Sequence, residues 1–151
     1  MSTISQFYAE GKLTEEMSCV FAEEDTSTTF YVLLENARSF NRKNLEDRTV
    51  ILCDMVFFKN ELEAMRVKAE AAMKKIESTA IFEVYEELRG KGLRPTDELL
   101  KAGVAARDLK NTNPKYATLS RQFDCCTKWV STLTDLYFVL NSTNKILSNN
   151  V

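Results

Sequence analysis

From Leu45 to Arg89 the sequence contains neither glycine nor proline. These are the two residues that interrupt regular backbone most strongly, Gly through conformational entropy and Pro through its missing N–H. A stretch of this length without them predicts one helix, about 67 Å long. Within it Ile51, Met55, Phe58, Leu62, Met65, Ala69, Ala72 and Ile76 recur at alternating spacings of four and three, the stripe of a coiled-coil-like helix. Ala80, Val84 and Leu88 continue by fours, so the stripe drifts. Asn44 is its expected N-cap, with Glu46 and Asp47 in the favourable first turn. A helix so much longer than the globular mean favours an extended shape or an oligomer.

The flanking sequence predicts more helix. Residues 25–29 are all N-cap types, and Phe30, Leu33, Leu34, Ala37 and Phe40 follow at helical spacing, giving a helix over about 29–41 that Asn41–Asn44 ends. Downstream, Gly90 and Gly92 are placed to end the long helix in left-handed geometry. Thr96 caps a helix over about 97–110, in which Gly103 is a weak point. Asn113 and Pro114 start a last helix over about 114–148. There Tyr116, Leu119, Phe123, Cys126, Val130, Leu133, Tyr137, Leu140, Asn144 and Leu147 alternate by three and four. Trp129, Leu136, Val139 and Ile146 lie beside this stripe and widen its apolar face. Met17 to Ala22 suits a short strand or a helical turn equally. Only 4 Gly and 2 Pro in 151 residues argue against an all-β fold with many tight turns.

The expected architecture is all-α: a long antiparallel, coiled-coil-like helical hairpin with one or two shorter N-terminal helices, forming an oligomer. An acidic arm over 1–28 precedes a single helical domain over 29–151. Leu119, Phe123, Cys126, Val130, Leu133, Tyr137, Leu140 and Leu147 are the expected oligomer interface.

Charge is uneven. Residues 1–40 hold seven acidic and two basic side chains, a balance of −5, against an overall −2. Such an arm is able to dock on the chain's own basic body or to bind a separate basic partner, and equally to be a solvated face. Between residues 89 and 115 the balance reverses, with seven Lys and Arg against three Asp and Glu. Arg89, Lys91, Arg94 and Lys101 there are the candidate contacts for nucleic acid or another anionic partner. Cys19, Cys53, Cys125 and Cys126 include no C-x-x-C spacing, and adjacent Cys125 and Cys126 point about 100° apart on a helix. They read as reduced thiols in a cytoplasmic protein, with no metal and no cofactor expected. No apolar run is long enough to span a membrane.

There is no His, which removes the commonest general base and every His metal ligand. Gly90-Lys91-Gly92 lacks the spacing of a phosphate loop and follows a helix instead of a strand. Glu63, Glu70 and Glu77 have Arg66 or Lys74 nearby and read as surface pairs. No catalytic residue set emerges. The expectation is a non-enzymatic adaptor, scaffold or inhibitor that binds itself and another protein. A nucleic-acid accessory role and a small-molecule cleft between helices are the other readings.

The order of elements resembles that of phage UvsY-type recombination mediators. Val84-Tyr85-Glu86-Glu87-Leu88-Arg89-Gly90 stands where that family has aromatics followed by Gly, and Leu140-Asn141-Ser142-Thr143-Asn144-Lys145-Ile146-Leu147 where it has a closing amphipathic turn. The paired Tyr before the Gly and an Arg near Thr143 are absent. The resemblance is one of layout over residues 12–148. It implies an oligomeric single-stranded-DNA-binding accessory protein that loads a recombinase.

Overall fold

A computed structural model of the chain describes residues 32–149. The acidic arm, residues 29–31 of the helix expected over about 29–41, Met17–Ala22 and Cys19 lie outside the described residues. Those described are all-α, with no strand among them. Residues 32–38 are helical (α1), and a 3-10 turn follows over Phe40–Arg42. Next come α2 (Leu45–Gly90), α3 (Asp97–Arg107), α4 (Leu109–Thr112) and α5 (Pro114–Asn149). Among the described residues no helix is long and apolar enough to cross a membrane.

The caps follow the sequence. Asn44 Oδ1 accepts the Asp47 N–H at 2.8 Å, Thr96 Oγ1 that of Leu99 at 3.3 Å, and Asn113 Oδ1 that of Tyr116 at 3.1 Å. Each satisfies a backbone donor that a helix start leaves orphaned. Two expected boundaries move. α1 ends at residue 38, because Ser39 Oγ bonds the carbonyls of Glu35 and Asn36 and competes with the next helical turn. The 3-10 turn still buries Phe40. The helix expected over 97–110 ends at Arg107, because Asp108 adopts a left-handed conformation (φ 48°, ψ 59°). Asp is one of the few residues that visits this region readily. Thr112 Oγ1 bonds the Arg107 carbonyl at 2.7 Å, satisfying an acceptor the break exposes.

The contacts divide the chain into two compact units. In unit one the described residues are 32–66 and 124–149. Its core joins three segments: Leu33, Leu34, Ala37 and Phe40; Ile51, Leu52, Met55, Phe58 and Leu62 from α2; Cys125, Cys126, Trp129, Leu133 and Leu140 from α5. Trp129 is fully buried, and a ring of this size contributes about 3–5 kcal/mol relative to alanine. Unit two comprises residues 67–123, with Ala69, Ala80, Val84 and Tyr116 buried.

Candidate functional site

Unit two carries both the basic turn and a cavity. α2 ends in a Schellman motif: Leu93 N–H donates to the Leu88 carbonyl at 2.9 Å and Gly92 N–H to that of Arg89 at 3.0 Å. Gly92 holds φ at +74°, whereas Gly90 remains the last helical residue, so one glycine of the two terminates the helix. α3 then packs on α2 where Gly103 faces Val84. A Cβ at residue 103 would overlap Val84 Cγ1 and come within 3.2 Å of Cγ2. Gly103, read from sequence as a weak point, is a close-approach position inside an intact helix.

Polar side chains hold the same packing. Arg107 donates from Nη1 to Glu83 and from Nη2 to Glu87 Oε1 at 2.7 Å, so one guanidinium bridges two carboxylates a helical turn apart. Tyr116 Oη donates to Glu77 Oε1 at 2.6 Å. That bond, then burial, then the Glu77 charge push the phenol up from 10.0 to about 12. Glu63 and Glu70 form the surface pairs expected of them, with Arg66 at 3.0 Å and Lys74 at 3.3 Å, while Glu77 is taken by Tyr116.

A cavity of about 590 Å³ opens in this unit, with Ile81, Leu100, Val104, Leu109 and Tyr116 among its walls and Lys101 and Lys110 also lining it. Of the four basic residues singled out in the sequence, Lys101 therefore lines a cavity. Arg89, Lys91 and Arg94 lie on or beside the Gly92 turn, exposed. Arg89 stacks over the Tyr85 ring at 5.9 Å, and none of the four joins an ion pair among the described residues. Unit two has eleven Lys and Arg against eight Asp and Glu, a balance of +3.

Comparison with protein-family models, with curated proteins and with solved structures finds no match to this chain. The site's chemistry accordingly rests on its own residues.

The expected oligomer interface falls in both units. Cys126, Leu133 and Leu140 belong to the core of unit one, with Val130 and Tyr137 packed against it. Leu147 is half-buried in unit one, and Leu119 and Phe123 are half-buried in unit two. Sequence reasoning missed a second stripe on α2. Val50, Cys53, Phe57, Asn60 and Ala64 are all exposed and alternate by three and four, one or two residues ahead of the core-facing Ile51, Met55, Phe58, Leu62 and Met65. On α5 of the same unit Phe138, Val139 and Ile146 are exposed, Phe138 at 75%. The spacing of Val50, Cys53 and Phe57 was readable, but the stronger stripe beside it masked it. The Tyr116–Glu77 pair carried no sequence signal, since 39 residues separate its members.

Proposed function

We propose that the protein is a non-enzymatic helical interaction protein that acts by associating with itself and with another protein. The observation that carries this reading is the uncovered apolar stripe of unit one, Val50 and Phe57 on α2 with exposed Cys53 between them. Exposed apolar side chains at coiled-coil spacing are the surface a second helix covers. Leu133 and Leu140 are committed to the chain's own core, so a seam through the C-terminal stripe would have to open that core. In this reading α2 and α5 pair antiparallel in a coiled-coil-like manner, and the second copy docks on the α2 face left exposed. Free thiols at Cys53, Cys125 and Cys126 suit a reducing compartment such as the cytoplasm.

Solution mass by light scattering tests it. The native chain is expected to be an oligomer, and Phe57→Lys to lower its mass while leaving the helical circular dichroism intact. A native monomer, or an unchanged mass in the variant, removes the reading.

A second reading is a phage-type recombination accessory protein that binds single-stranded DNA. It is favoured by the four exposed basic residues without ion pairs among the described residues, Arg89, Lys91, Arg94 and Lys101. A short single-stranded oligonucleotide should then shift the scattering mass, and added salt should reverse the shift steeply. Binding unaltered by changing all four to Ala excludes this patch.

A further inference from the structure

We infer that a second copy of the chain covers the exposed stripe of α2 in parallel and in register, so that each stripe residue faces its own counterpart. This inference rests on the self-association reading and adds the direction of the second chain to it.

The first observation is the repeat. Val50, Phe57 and Ala64 recur every seven residues, Cys53 and Asn60 do the same, and all five are exposed. These are the two seam positions of a heptad. The second is the charge on the two flanks of the seam. Asp47, Asp54 and Glu61 also recur every seven residues, on the flank next to Cys53 and Asn60, and all three are exposed. The other flank carries exposed, uncharged Thr49 and Val56, then Glu63, which Arg66 of the same chain pairs at 3.0 Å. In a parallel pair opposite flanks meet, so Asp54 lies beside Thr49 of the second copy and Glu61 beside its Val56. In an antiparallel pair each flank meets itself. Asp54 then faces Asp54 or Glu61 of the second copy, and like charges repel. The third is Asn60. In parallel it faces Asn60 of the second copy, and the two amides satisfy each other. With the stripes overlapped in antiparallel it faces Val50 or Phe57, and its amide is covered without a partner. The acidic arm, with six acidic residues against one basic over 1–28, is repelled by the same flank of carboxylates.

The test is disulfide trapping in the full chain, with Cys19→Ser and Cys53→Ser as background. Val50→Cys and Ala64→Cys, made separately, place a thiol at each end of the stripe. A disulfide needs Cα atoms about 4–7 Å apart. Parallel pairing sets both positions beside their own counterparts. The two positions are fourteen residues apart, so any antiparallel pairing staggers at least one of them from its counterpart by that much, about 21 Å. With copper–phenanthroline as oxidant, both variants are expected to give a linked dimer on denaturing gels, and the background chain none. Light scattering on the same samples separates the two ways of failing. An oligomer in which only one variant links, or neither, overturns the parallel arrangement and leaves self-association standing. A monomer overturns both.

Discussion

Gly103 shows how one missing methyl group sets the packing of a whole helix. Helix propensity alone says that alanine there should gain about 0.5–1 kcal/mol. Overlap with the Val84 side chain opposes it, and overpacking costs about 1–3 kcal/mol. Val84 cannot easily turn aside, because a β-branched residue in a helix has one strongly preferred rotamer. Gly103→Ala is therefore expected to destabilise the native protein by about 1 kcal/mol, and to become stabilising once Val84 is also Ala. Urea denaturation of the four proteins measures this, and an equal effect in both backgrounds counts against the contact. Tyr116 makes a prediction in pH. Its phenol holds its proton to about pH 12 because Glu77 accepts it, and an unfolded tyrosine releases it near 10.0. The associated stability is fully present below pH 10.0 and is lost as pH rises toward about 12. Melting temperature should fall more steeply in that window for the native chain than for Tyr116→Phe. Parallel curves would show that the hydrogen bond does not set the titration.

At the scale of elements, the two glycines at the C-terminal end of α2 separate cleanly. Gly92 needs its left-handed φ of +74°, so Gly92→Ala should cost about 1 kcal/mol. Gly90 is helical and has open space where a Cβ would go, so Gly90→Ala should be neutral or stabilising. Thermal unfolding of the pair checks this, and equal costs would refute the assignment of the cap. The caps at Asn44, Thr96 and Asn113 were legible because a cap is local chemistry: one oxygen, a few residues from the N–H it satisfies. The long helices were legible because periodicity accumulates over many turns. The break at Asp108 was not, since it depends on Thr112 and Asn111 reaching back and on Arg107 being held by Glu83 and Glu87 on another helix. The cavity was invisible for the same reason, because residues from four helices meet to form it. The exposed stripe of Val50, Cys53 and Phe57 was written in plain spacing, but spacing alone does not say which of two stripes meets the core.

For the molecule as a whole, burial divides the thiols among the described residues. Cys53 is exposed, whereas Cys125 and Cys126 are in the core of unit one, and burial pushes the Cys126 thiol up to about 11. In a Cys19→Ser background, a thiol reagent such as Ellman's should label Cys53 at once and the other two only as unit one opens. Simultaneous labelling of all three would mean that this core is not closed. In unit two the left-handed residue Asp108 acts as a phase shifter. Leu109 follows Leu100 by nine residues and Lys110 follows Lys101 by nine, about 180° around an unbroken helix. Continued past Arg107, α3 would turn each second member of these pairs to the opposite side. The single inverted backbone angle instead aims both leucines and both lysines at one cavity, so the chain doubles an apolar–cationic motif on one surface without adding a strand, a loop or a second copy.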